Sequence, residues 1–127
     1  MSEHKHHEQL IKEISEQLKP ILEGSGQAIY IYLDDIHKFC NKRFALLLGY
    51  ESPSKWAKVE ESFPDAFVAP KSQRNLVTAY QNAMEEMISS TIKITWKKKT
   101  GGTVDTTVIL VPLAYNGHIF ALHFIAE

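Results

Sequence analysis

The sequence predicts an α+β domain: a five-stranded antiparallel sheet, with helices inserted between strands two and three and an amphipathic helix in front. Three observations lead there. The last third of the chain reads as three strands joined by two tight turns. A shorter β-rich pair flanks Asp34-Asp35. Between these two regions stand cap-and-stop signals for several helices.

Residues 8–22 carry Leu10, Ile11, Ile14, Leu18, Ile21 and Leu22 with Glu, Lys and Gln between them, which is the stripe of an amphipathic helix. Pro20 ends or kinks it, and Gly24-Ser25-Gly26 breaks the chain. Ala28 to Leu33 is β-rich and apolar on both faces. Asp34-Asp35 turns it, and Ile36 to Cys40 returns. Asn41 stands at a helix N-cap, where its oxygen can accept from first-turn amides, and Gly49 closes that helix. Ser52-Pro53 caps a second short helix through Trp56. Phe63 to Phe67 reads as irregular. Pro70 and Ser72 open a longer helix with Leu76, Val77, Tyr80, Ala83, Met84 and Met87 on its buried side.

In the first strand of the closing meander, Ile92, Ile94 and Trp96 oppose Lys93, Thr95 and Lys97, so one face is buried and one is wet. Lys97 to Gly102 turns the chain, Val104 to Leu113 runs back, and Tyr115-Asn116-Gly117 turns it again. Gly-Gly and Asn-Gly suit such hairpins because they accept positive φ. In the last strand both faces are apolar: Ile119, Ala121 and Ile125 on one, Phe120, Leu122 and Phe124 on the other. Such a sheet needs two covers.

A chain of 127 residues makes one domain with an ordinary core. With 14 basic and 15 acidic residues, a net charge of −1 gives no electrostatic footprint for nucleic acid or an anionic membrane. A single cysteine, Cys40, excludes an internal disulfide and fits a reducing cytoplasm. The histidine-rich N-terminus does not read as a leader, and no apolar run approaches the ~20 residues that span a bilayer.

The run Ile36-His37-Lys38-Phe39-Cys40-Asn41-Lys42-Arg43-Phe44 through Gly49-Tyr50 resembles the second strand and first helix of the PAS domain. Ala69-Pro70-Lys71-Ser72 is similar to that family's entry to its long helix, and Trp96-Lys97-Lys98-Lys99-Thr100-Gly101 to its basic hairpin. The resemblance divides the chain into a helix and linker, 1–24, and a PAS domain, 25–127. It implies a non-enzymatic sensory or interaction module, with a small-molecule cavity between sheet and helices, a dimerisation surface, or both. PAS domains usually continue into an output domain, whereas this sequence stops at Ile125-Ala126-Glu127. The expectation is therefore a stand-alone module whose signalling partner acts in trans.

The resemblance also implies a register. Ile29, Ile31, Leu33, Ile92, Ile94, Trp96, Val104, Thr106, Val108, Leu110, Ala121 and His123 would face the helices. Tyr30, Tyr32, Ile109, Val111, Phe120, Leu122 and Phe124 would face away. Pocket candidates are then His123, Thr106, Trp96, Tyr80, Phe67, Phe63, Trp56 and Ile31. His123 serves either a ligand or the core, where backbone or Thr106 would satisfy it; the aromatics serve equally as plain core. The homodimer candidates are Leu10, Ile14, Leu18, Ile21, Phe120, Leu122 and Phe124, with the leading helix packed in cis or crossed onto a partner.

Other residues attract a plainer reading. Cys40 is a buried thiol. His4, His6 and His7 are expected to be solvated at a frayed end rather than to hold a metal. No histidine lies in 70–88, so haem ligation through the long helix is not expected, and no cofactor is specified. Asp34, Asp35, His37 and Asp105 fall in turns or outward positions and are not expected to converge. Two alternatives stand beside the sensor: a small α+β cone-fold enzyme, against which the inward set offers no carboxylate, and a purely structural dimerisation domain with a filled core.

Overall fold

The computed structural model describes residues 2–127, leaving aside the side chains of Ser2, Glu3 and His4. The order is α1 (Ser2–Gln17), α2 (Lys19–Gly24), β1 (Ala28–Asp34), β2 (His37–Cys40), α3 (Lys42–Leu47), α4 (Pro53–Ala57), α5 (Phe63–Phe67), α6 (Pro70–Glu86), β3 (Ser90–Lys97), β4 (Thr103–Tyr115) and β5 (His118–Ala126). The strands form one antiparallel sheet in the order β2-β1-β5-β4-β3, so the predicted α+β class holds.

The local signals act where the chemistry says they should. The leading helix breaks at Leu18, and Pro20 lies in the first turn of α2, where a missing N–H costs nothing. Asn41 Oδ1 accepts from the Phe44 amide at 3.1 Å and caps α3; Ser52 caps α4. Phe63 to Phe67, expected to be irregular, is a short helix that buries Phe63 and Phe67. Met87 ends α6 in the left-handed region at φ 55° and is half exposed, so it leaves the buried stripe expected of it. Asn116 and Gly117 both take positive φ in the β4–β5 turn, as a two-residue hairpin demands.

Helices α3 to α6 cover one face of the sheet. The core between them is built largely from rings: Tyr30, Phe44, Trp56, Phe63, Phe67 and Trp96, packed with Leu48, Leu76, Ile94, Val108 and Leu110. Helices α1 and α2 cover the other face in cis. There Leu10, Ile14 and Leu22 bury against Ile29, Ile31 and Phe120.

One expected register is overturned. Ile29, Ile31 and Leu33 point toward α1, and Tyr30 and Tyr32 point toward the inner helices. The cause is strand pairing: Tyr30 lies opposite His123, and Ile31 opposite Leu122. Opposed residues share a face, so β5 dictates the face of β1. Because β1 is apolar on both sides, its own composition gave no vote on a one-residue slip. The faces read for β3, β4 and β5 stand.

Candidate functional site

Two features invite a partner: a cavity inside the ring-lined core, and an apolar strip on the outer face. The cavity, of about 70 Å³, lies between the sheet and α5–α6 and is lined by Tyr30, Tyr32, Phe63, Pro64, Leu76, Val77, Tyr80 and His123. That is far below the ~300–1,000 Å³ of pockets that enclose drug-sized ligands.

His123 forms the polar end of the cavity. Its ring stacks on Tyr30, with centroids 3.9 Å apart and planes 11° from parallel. Its Nδ1 lies 3.1 Å from the Ala121 carbonyl, to which Nδ1–H donates. Burial pushes the imidazole down to about 3, against the opposing pull of backbone groups at Ala121 and Tyr30, so His123 is neutral at ordinary pH. Thr106 is not its partner. The Thr106 hydroxyl accepts from Trp96 Nε1 at 2.8 Å and donates to the Ile94 carbonyl at 2.9 Å.

Among the pocket candidates, His123, Tyr80 and Phe63 line the cavity. Trp56, Phe67, Trp96 and Thr106 pack in the filled part of the same core. Ile31 does not belong with them; it lies across the sheet under α1, for the pairing reason given above. Sequence reasoning missed Tyr30 and Tyr32. The available signal was the pairing of β1 with β5, which places Tyr30 on whichever face His123 occupies.

The wall beside the cavity is held by buried polar groups. Tyr32 donates to Asp35 Oδ1 at 2.8 Å, and the same oxygen accepts from the Phe63 amide at 3.0 Å. The buried Lys38 donates to the carbonyls of Asp35, Ala57 and Val59 and lies 5.4 Å from the Trp56 ring centroid. Burial lowers its basicity, but nearby carboxylates, Asp35 first, oppose the shift. Cys40 is fully buried, and burial pushes its thiol up, which leaves it unreactive.

On the outer face, three successive β4–β5 pairs run from covered to open: Leu113–Phe120, Val111–Leu122 and Ile109–Phe124. Phe120 is 0 % exposed and Ile109 is 44 % exposed. Leu10, Ile14 and Phe120, expected at a dimer interface, are consumed in cis by α1 packing. Leu18, Leu122 and Phe124 are half-buried, and Ile21 is 50 % exposed.

The histidines near the N-terminus lie in α1: His6 is exposed, as expected, His7 is half-buried, and His4's side chain lies outside the described residues. His6 Nε2 lies 3.0 Å from His118 Nε2, and His7 Nδ1 lies 3.0 Å from Asp34 Oδ2. Asp34 and His37, not expected to converge with anything, meet at 2.7 Å. Leu10 and Ile14 anchor α1 on the sheet and bring its first turns within reach of the β1–β2 turn. Asp105 accepts from the Thr95 hydroxyl at 2.6 Å and, among the described residues, joins no cluster of ligand-bearing side chains. Among the described residues, no helix is long and apolar enough to cross a membrane.

No family model matches the sequence, and no curated protein matches it either. Solved structures do match in shape. The PAS domain of an HTR-like protein from Haloarcula marismortui superposes with a TM-score of 0.65 at 21 % identity, over 96 % of this chain and 98 % of that one. A PAS domain from a two-component sensor histidine kinase gives 0.67 at 14 % identity, over 91 % and 98 %. The PAS domain of a Colwellia psychrerythraea protein gives 0.66 at 19 % identity, over 90 % and 96 %. These superpositions, over nine-tenths or more of both chains, give this chain the fold of a PAS domain.

Proposed function

We propose that this chain is a non-catalytic signalling module that works through association, as a homodimer joined along the outer sheet face. The observation that carries this reading is the contrast between its two candidate sites. The inner core is nearly full, whereas the outer face keeps an apolar strip that α1 covers only in part: half-buried Val111, Leu122 and Phe124, ending at exposed Ile109. A contiguous strip of this kind on a small domain marks an interaction surface. A sensory role is supported by fold analogy with the PAS domain of a sensor histidine kinase. The cavity beside His123 suits a few water molecules or a very small ligand. Binding there would bias the packing of sheet against helices, and that bias would reach a signalling partner through the outer face. The single buried thiol suits a reducing, cytoplasmic setting.

The cone-fold enzyme reading finds no support, because no carboxylate lines the cavity among the described residues. The filled-core dimerisation reading shares the outer-face surface and differs only at His123. Size-exclusion chromatography with light scattering tests the surface. The expected result is a dimer that Ile109→Glu converts to a folded monomer; a wild-type monomer at high micromolar concentration would sink the proposal. A thermal-shift screen of small polar and apolar compounds separates sensor from scaffold, since binding to the native state alone must raise Tm.

A further inference from the structure

Where α1 begins, three parts of the fold bring imidazoles around one carboxylate. His7 comes from the second turn of α1, Asp34 and His37 flank the β1–β2 turn, and His118 opens β5. His7 Nδ1 lies 3.0 Å from Asp34 Oδ2, and His37 Nδ1 lies 2.7 Å from Asp34 Oδ1. An ionised carboxylate only accepts, so each imidazole N–H donates. Burial by itself would raise the Asp34 pKa, but the hydrogen bonds from His37 and His7 outweigh it and hold the carboxyl below its ordinary value. One ligand atom from each of His7, Asp34 and His37 lies within 4.8 Å of the other two. The His118 ring stands 5.4 Å from that of His7, centroid to centroid, and His6 Nε2 is 3.0 Å from His118 Nε2.

We propose that His7, Asp34 and His37 form a binding site for a divalent transition-metal ion, and that the ion fastens α1 to the sheet. Around a tetrahedral zinc, ligand atoms at about 2.0–2.1 Å from the ion stand about 3.3 Å apart, so the 2.7 and 3.0 Å contacts to Asp34 would open slightly while the widest spacing, within 4.8 Å, would close. Two nitrogens and one carboxylate oxygen select zinc, nickel or copper over magnesium or calcium, which prefer oxygen throughout. The site is also held in place. Asp34 Oδ1 accepts from the amides of Ile36 at 3.1 Å and His37 at 2.8 Å, and His37 is 5 % exposed. Water would complete the coordination. Because His7 belongs to α1 and the other two ligands to the sheet, the ion binds the docked helix and stabilises docking by mass action. This inference does not depend on the homodimer or on the interior cavity.

The test is zinc titration of the full chain, free of any histidine tag, by calorimetry, with hydrogen exchange of α1 amides in parallel. The expected result is one ion per chain, an EDTA-reversible rise in Tm, and slower exchange across residues 5–17. His7→Ala truncates a half-buried side chain that belongs to neither core cluster, and Asp34→Asn keeps an oxygen for the turn amides; each should weaken zinc binding about tenfold or more. Three outcomes would overturn the proposal: no zinc bound, variants that bind as tightly as wild type (an ion held by terminal histidines alone), or bound zinc that leaves α1 exchange unmoved.

Discussion

The inner face of the sheet is closed by aromatic rings and the outer face by mostly aliphatic side chains around Phe120, and the two closures differ in how fully they exclude water. On the inner side four helices, α3 to α6, meet the sheet, and Trp56, Phe67 and Trp96 are all 0 % exposed. On the outer side α1 and α2 form a lid narrower than the sheet. It shuts over β1, β2 and the start of β5, and the strip ends at an exposed Ile109. Beyond that strip the outer surface of β3 is polar, with Thr91, Lys93 and Lys97. The lesson is one of division of labour: the tightly closed face holds the fold together, and the partly closed face remains available for association.

This contrast can be broken at its strong end first. Trp96→Ala removes the ring packed against Tyr30 and Phe44 and the indole N–H that donates to the Thr106 hydroxyl. We expect a loss of about 3–5 kcal/mol by urea unfolding. A cost under about 1 kcal/mol would mean that the inner face is not the closed one.

Acid probes the same face. His123 titrates at about 3 when folded, against ~6.5 for a free imidazole. The unfolded chain takes up the proton first, so this stability is complete above about pH 6.5 and is lost as pH falls toward 3. Between pH 7 and 5 the loss should be about 2 kcal/mol. His123→Phe, which can still stack on Tyr30, should flatten that dependence. Asp34, held low, contributes in the same sense only below its ordinary pKa, so it does not mask the window. An unchanged slope in His123→Phe would show that His123 is not the group that titrates.

The lid should be weaker. Leu10→Ala, at a site 2 % exposed, should cost about 2 kcal/mol and loosen α1 before the rest, read as faster amide exchange confined to residues 5–17. Global loosening instead would make α1 part of a single cooperative core. The smallest effect belongs to the open end of the strip. Ile109→Glu should change stability by less than about 0.5 kcal/mol while abolishing association. A large destabilisation there would show that the strip is covered within the monomer.

Much of this was written locally. Alternation in β3, the Asn41 and Ser52 caps, the Asn116-Gly117 turn and the stripe of α1 are short-range facts, and each was legible. The candidate site was only partly so. His123 could be placed by the register that the resemblance implies, Tyr80 by the apolar stripe of the long helix, and Phe63 among the large aromatics. Tyr30 and Tyr32 could not, because β1 is apolar on both faces and a one-residue slip looks the same from its composition. The His7–Asp34–His37 cluster was invisible for another reason: its members lie in separate elements, and only the docking of α1 brings them together.

Sequence alone therefore determined most of the elements, their order and the need for two covers, but not the short helix at Phe63–Phe67, since propensity, capping and periodicity act over a few residues. The tertiary structure decided which face β1 shows to each cover, how much of the core remains hollow, and which polar groups meet at the start of α1. Those outcomes depend on strand pairing and helix docking between residues far apart in the chain, where packing and not local preference sets the free energy.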